Sequence, residues 1–237
     1  MRGLIVSLDS IARLAESAGS AVALDLGAAA TLAELAGAVG VRVGLQEDLR
    51  PIGESDVAHL RRACRGLELR LPVSAGLIKI ALEARPDRVV IAGENWQALG
   101  GGMPIDLRTQ AQTVQTMLRS LEDAGLPAVV EVAPELDAVK AAHGLGATAV
   151  ELYTGSIVDL PRAERRGALE NLGDATRLAS KLRLELSLGG SLDERCLAEV
   201  LEVTPSAVRV TVGRAFAARS ILVGVDRSVR DLRARVE

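Results

Sequence analysis

Short runs rich in Val, Leu and Ile alternate along the whole chain with longer Ala/Leu/charged segments whose apolar positions recur at helical spacing. The runs Leu4 to Leu8, Val41 to Leu45, Leu67 to Leu71, Arg88 to Ala92, Ala128 to Val132, Thr148 to Leu152, Leu184 to Leu188 and Ala207 to Val212 predict strands. The segments Ala28 to Val39, Glu54 to Cys64, Ala75 to Ala84, Leu107 to Ala124, Glu135 to His143, Arg162 to Leu182, Asp193 to Val200 and Ala215 to Val236 predict helices. Parallel strands separated by helices can close on themselves, and closure removes the edges that an open sheet would expose. The pattern therefore predicts an α/β fold, a (β/α)8 TIM barrel formed as a single domain over residues 1–237.

Local punctuation agrees. Asp56 and Asp193 lie near helix starts, Gly125-Leu126-Pro127 and Gly144-Leu145-Gly146 stop helices just before strands, and Pro86 does so before the fourth strand. No polar linker divides the chain. Gly100, Gly101 and Gly102 make either a loop with functional freedom or a plain surface turn after the fourth strand.

Composition narrows the chemistry. The chain has 237 residues, 49% hydrophobic and 25% charged, enough for one well-cored barrel. Only 1% is aromatic, so Leu, Val, Ile and Ala must fill the core, and the stacking faces that single-stranded nucleic acid needs are lacking. A net charge of -3 gives no general attraction to a phosphate backbone, so no nucleic-acid partner is expected. Cys64 and Cys196 lie far apart without metal-ligand spacing, which predicts packed, reduced thiols and neither metal nor cofactor. The apolar stretch before Asp9 is too short for a secretory or membrane segment; a cytoplasmic protein without a membrane partner is expected.

Barrels of this kind place their chemistry at the C-terminal ends of the strands. The residues falling there are Ser7, Asp9 and Ser10; Gln46, Glu47 and Asp48, followed by Arg50; Arg70; Glu94; Glu131; Glu151, Tyr153 and Thr154; Gly189, Gly190 and Ser191; and Gly213 with Arg214. Both histidines, His59 and His143, fall in predicted helices, so no imidazole acid/base is expected at the mouth. Glu47 and Asp48 are either an acidic site or solvated loop charges. Glu131 and Arg70, both in apolar runs, are either a structural ion pair or a carboxylate poised by burial with its partner. Tyr153 reads as a packed aromatic with a satisfied hydroxyl. The glycines of the last two loops make either tight turns or a phosphate cradle of backbone N–H groups.

The segment Val41 to Ile52, V-R-V-G-L-Q-E-D-L-R-P-I, resembles the second strand and loop of the pyridoxine 5'-phosphate synthase family, V-H-L-R-E-D-R-R-H-I, with Glu47, Asp48, Arg50 and Ile52 in register. The resemblance extends over nearly the whole chain. Ser7 to Ala15 follows the family's N-x-D-H-I-A-x-L-R, keeping Asp9 and losing the Asn and the His. Glu151, Thr154 and Gly155 match E-I-H-T-G, with Tyr153 replacing His. Glu94, Gln97 and Asp106 match the family's loop after the fourth strand, whose Arg, Thr and Glu positions read Trp96, Gly100, Gly101 and Gly102.

That resemblance implies a barrel, a homo-oligomer and phosphorylated small-molecule ligands. It also implies acid/base groups on strands two, three and seven, a His, a Glu and a His, where this chain has Gly44, Arg70 and Gly190. Glycine transfers no proton, and arginine is a poor base because it stays protonated. Closing a ring between 1-deoxyxylulose 5-phosphate and 3-amino-2-oxopropyl phosphate needs repeated proton transfers. The first expectation is therefore a diverged homologue that lacks the family reaction, binds a phosphorylated metabolite through Gly189, Gly190, Ser191, Gly213 and Arg214, and serves as a binding, regulatory or assembly protein. The second is an enzyme of different chemistry using Asp9, Glu151, Glu131 and Arg70, with Asp9 and Glu151 the retained strand-end carboxylates. A third is a synthase with rearranged acid/base groups.

Overall fold

A computed structural model describes residues 2–19, 24–93 and 103–237 of the chain. Its strands run parallel and close in chain order: β1 (Gly3–Ser7), β2 (Gly40–Gly44), β3 (Leu67–Pro72), β4 (Arg88–Ala92), β5 (Ala128–Val132), β6 (Ala149–Tyr153), β7 (Glu185–Gly189) and β8 (Arg209–Val212). The barrel closes through parallel pairing of β8 with β1, where Leu4 faces Val210 and Val6 faces Val212. This is the closed (β/α)8 TIM barrel that the sequence predicts.

The intervening helices are α1 (Asp9–Ala18) and α2 (Leu26–Leu35), α3 (Glu54–Ala63), α4 (Ile78–Ala84), α5 (Leu107–Asp123), α6 (Leu136–Gly144), α7 (Gly155–Val158) and α8 (Arg165–Lys181), α9 (Leu197–Val203), and α10 (Arg214–Val223) with α11 (Val225–Val236). Outward-facing strand residues such as Val41, Val43, Leu69, Ile91, Val130 and Leu188 pack with helix residues such as Ala30, Leu60, Leu121 and Leu172 in one continuous core. Each fully buried Val or Leu contributes about 1.5–3 kcal/mol. That core lies between the barrel and its helices, and Phe216 is its one phenylalanine.

Side-chain caps set several helix starts. The Asp25 carboxylate accepts from the N–H groups of Gly27 and Ala28 at the start of α2, and Asp106 accepts from Arg108 N–H at the start of α5. Gly125 and Gly146, with φ of 69° and 94°, turn the chain in the left-handed region just before β5 and β6.

Three helical segments depart from the sequence expectation, among them the short α7 between β6 and α8, which no predicted helix covers. The residues after β1 form α1, a full helix absent from the predicted set. The last predicted helix is two, because Gly224 at φ 82° breaks it between α10 and α11. Thus α1 and α10 are additional helices leaving the C-terminal ends of β1 and β8, and they touch one another.

Candidate site at the mouth of the barrel

Inside the barrel the strands alternate differently from a plain apolar run. Every second residue points inward, and many of these are charged: Arg42, Arg70, Arg88 and Arg209 against Glu68, Glu131, Glu151 and Glu185. Val90, Val129 and Ala149 form a small apolar cluster on neighbouring strands β4, β5 and β6. The Arg42 guanidinium crosses the lumen. It donates to Glu151 on β6, at 2.6 and 2.7 Å, and to Glu68 on β3, at 2.7 and 3.0 Å. Nearer the N-terminal end, Arg209 donates to Glu68 at 2.8 Å and Arg88 to Glu185 at 2.5 Å.

Burial would lower the Arg42 pKa, but Glu151 and Glu68 outweigh it and push it above its ordinary value. Burial likewise opposes ionisation of Glu68, yet Arg42 and Arg209 hold its carboxyl below the ordinary range. One layer higher, Arg70 donates to both oxygens of Glu131, at 2.7 and 3.2 Å. Burial pushes the Glu131 carboxyl up even against Arg70, with the charge of Glu151 adding to the effect. Glu151 is fully buried, and Ser187 also donates to it, at 3.3 Å. Arg70, Glu131 and Glu151 are thus brought together inside the barrel, each already engaged by an opposite charge.

Above this ionic floor the mouth has two sides. On the β8–β1–β2 side, the Asp9 carboxylate accepts from Gly44 N–H at 2.7 Å and from the Ser7 hydroxyl at 2.8 Å. Burial raises the Asp9 pKa despite those hydrogen bonds and the charges of Arg70 and Arg42. Asp9 is only half-buried by its exposure to solvent, so it is the mouth carboxyl best placed to exchange a proton. A Cβ on Gly213 would lie 3.2 Å from Ser7 Cβ, which keeps the start of α10 close against β1.

Gly213 gives α10 no side-chain cap, and the first intrahelical bond is from Ala217 N–H to Gly213 O. The N–H groups of the first turn are therefore left without helical partners, an arrangement that attracts anions. Arg214 begins that helix, half-buried, and makes no ion pair or side-chain hydrogen bond among the described residues. The helix is anchored through the Phe216 carbonyl, which accepts from Ser228 at 3.1 Å and Ser220 at 2.7 Å.

On the β6–β7 side, Thr154 is fully buried, with its hydroxyl 2.8 Å from the carbonyl oxygens of both Gly189 and Gly190. It fixes the loop in which Gly190 and Ser191 take the left-handed conformation at φ 85° and 69°. The Tyr153 ring lies over that loop. A Cβ on Gly190 would collide with the ring, one on Gly155 with its hydroxyl, and one on Gly189 with the Glu151 carboxylate. Burial first, then Glu131 and Asp159, push the phenol pKa up, so Tyr153 stays protonated and can donate.

The remaining sequence candidates lie elsewhere. Glu47, Asp48 and Arg50 are exposed on the β2 loop, where Asp48 accepts from Arg50 N–H at 3.1 Å. Glu94 and the glycine stretch Gly100 to Gly102 fall outside the described residues. His59 sits on α3 beside Asp25, and His143 on α6. Cys64 and Cys196 are buried and unlinked, and no described helix is long and apolar enough to cross a membrane. Sequence reasoning missed Arg42, Glu68, Arg88, Glu185 and Arg209. Their signal was present: charges at every second position of V-R-V, L-E-L-R-L, V-E-V and V-E-L mark an inward-facing ionic column.

Residues 4–237 match the family described as pyridoxal phosphate biosynthesis protein PdxJ. The chain is 32% identical over 234 residues to a pyridoxine 5'-phosphate synthase of Geobacter metallireducens, covering 98% of this chain and 97% of that protein. It is 33% identical over 235 residues to one of a Synechococcus species, covering 98% of each. Among solved structures, its fold is similar to tryptophan synthase subunit alpha from Legionella pneumophila (TM-score 0.64, 14% identity, 99% of this chain and 92% of that one). It is also similar to 3-hexulose-6-phosphate synthase from Salmonella typhimurium (TM-score 0.61, 14% identity, 99% and 100%).

Proposed function

This chain belongs to the pyridoxal phosphate biosynthesis protein PdxJ family, and from that membership we propose that it is a diverged member which binds a phosphorylated small molecule at the barrel mouth without performing the synthase reaction. The observation that carries this reading is Arg214, a guanidinium without an ion pair among the described residues, at the uncapped start of α10. A cation and a row of backbone N–H groups converge there, and both complement an oxyanion. The other half of the reading rests on Gly44, Arg70 and Gly190. Two of these have no side chain to move a proton, and the third is an arginine held by Glu131. Such a protein would act by binding, in a regulatory or assembly role.

Inorganic phosphate titrated into the protein should raise its melting temperature and give measurable binding by calorimetry. Arg214→Ala should weaken that binding by about 1.5–3 kcal/mol, as for a hydrogen bond to a charged group, or about 10- to 100-fold. The unfolding midpoint without phosphate should hardly move, because Arg214 supports no ion pair among the described residues. A wild-type protein whose melting temperature and heat of mixing both ignore phosphate would refute the binding reading.

Asp9 favours a second reading, an enzyme of different chemistry on a phosphorylated substrate. Its carboxyl is raised, half-buried and on the same side of the mouth as Arg214. Glu151, Glu131 and Arg70 would support that chemistry as the charged floor beneath it.

Self-association belongs to the first reading. Ile221, Leu222 and Val223 stand exposed together at the end of α10, with Leu222 83% exposed, and contiguous apolar surface of this kind favours contact with another copy. Light scattering should give a mass that is a multiple of 24.8 kDa, and a 24.8 kDa species at all concentrations would remove the assembly.

A further inference from the structure

The β6–β7 side of the mouth is occupied by the protein itself. The Tyr153 ring rests where any side chain on Gly190 would have to stand, and its hydroxyl reaches over the backbone of Gly155. Thr154, one residue on, ties the same loop down through the Gly189 and Gly190 carbonyls, so the loop cannot retreat from the ring without breaking those bonds. Below, Glu151 fills the space against Gly189 and is itself clamped by Arg42. The ring therefore has a fixed floor and a fixed wall.

The opposite side is built differently. Ser7, Asp9, Gly44 and Gly213 present small groups and backbone there, with Arg214 at its edge. This side offers the Asp9 carboxyl and the Arg214 guanidinium to a ligand.

We infer that Tyr153 is the specificity-determining side chain of the mouth: it fills the β6–β7 side and confines a phosphorylated ligand to the β8–β1–β2 side, so that small phosphate esters are accepted and ring-bearing ones are rejected. This rests on the phosphate site proposed above. The ring, and not the hydroxyl, does the excluding, because it is the ring that lies against Gly190. A planar ring carried beyond the phosphate and extending toward β6 and β7 meets the Tyr153 ring there.

The test compares glycerol 3-phosphate with pyridoxine 5'-phosphate by calorimetry, on the wild type and on Tyr153→Ala, Tyr153→Phe and Tyr153→Leu. The wild type should prefer glycerol 3-phosphate by about tenfold or more, as overpacking a filled site requires. Tyr153→Ala should abolish that preference by tightening pyridoxine 5'-phosphate about tenfold or more, with glycerol 3-phosphate changed less than about threefold. Tyr153→Phe should keep the wild-type ratio. Tyr153→Leu should fall between them, and it replaces the alanine variant if that one fails to fold.

A ratio that stays within about twofold in both the alanine and leucine variants overturns the inference, as does a phenylalanine variant that shifts as far as alanine. Inorganic phosphate separates the two levels. If it binds the wild type while the ester ratio ignores residue 153, only the role of Tyr153 falls; if neither phosphate nor ester binds, the site falls and this inference with it.

Discussion

Replacing Arg42 by methionine should cost about 3–5 kcal/mol of folding stability, read as a lowered urea midpoint, because it strands buried carboxylates that the guanidinium now holds. The residue is 4% exposed and bonds Glu151 and Glu68 together, so both carboxylates lose a buried charged partner when it is removed. Methionine keeps much of the volume, which separates loss of charge from loss of packing. The pH dependence should change sense. Glu68, held below its ordinary value of 4.5, lends the wild type stability that is present above that value and lost as pH falls through the depressed one. In the variant, mild acid should narrow the deficit, since a stranded carboxylate can take up a proton. A loss under about 1 kcal/mol would show that the pair is peripheral to stability.

Incubation with 1-deoxyxylulose 5-phosphate and 3-amino-2-oxopropyl phosphate should yield no measurable pyridoxine 5'-phosphate. A single positioned acid or base is worth about 10²- to 10⁴-fold, and Gly44, Arg70 and Gly190 stand at positions that the family resemblance gives to three. Product formation at the rate of a 32%-identical relative would show that other groups have taken over. Asp9→Asn then decides the matter. The amide oxygen can still accept from Gly44 N–H, but it carries no exchangeable acid, so activity borne by Asp9 should fall while the fold persists. Arg70→Glu would be a poor restoration, because it sets a second carboxylate against the buried Glu131.

The barrel was legible because its strands are buried on both faces and its turns carry glycine. Gly125 and Gly146 sit where the chain demands a left-handed residue, and the apolar runs before and after them could be placed from spacing alone. Helix α1 was not legible. Its acidic start at Asp9 has no side-chain cap to announce it, and the same residues read as a strand end. The break at Gly224 was hidden within a continuous helical pattern, since one glycine at helical spacing can either continue a helix or end it.

At the site, Asp9, Arg70 and Arg214 could be found by position, but not what each one touches. That Arg70 meets Glu131 was one of two open readings, and that Glu151 is spanned by Arg42 depends on β2 and β6 facing each other across the lumen. Contacts of that range depend on the closed geometry, and no local spacing encodes them. The collision between Tyr153 and residue 190 is likewise visible only once β6 and β7 are paired, with Tyr153 opposite Gly189.

The fit of Tyr153 over Gly190 also couples two positions that no local spacing joins. Any side chain installed at 190 meets an aromatic ring and a backbone at φ 85°. Residue 153 has to shrink in the same step. An engineered side chain at 190 is therefore a two-site change, and a single substitution there reports steric strain before it reports chemistry.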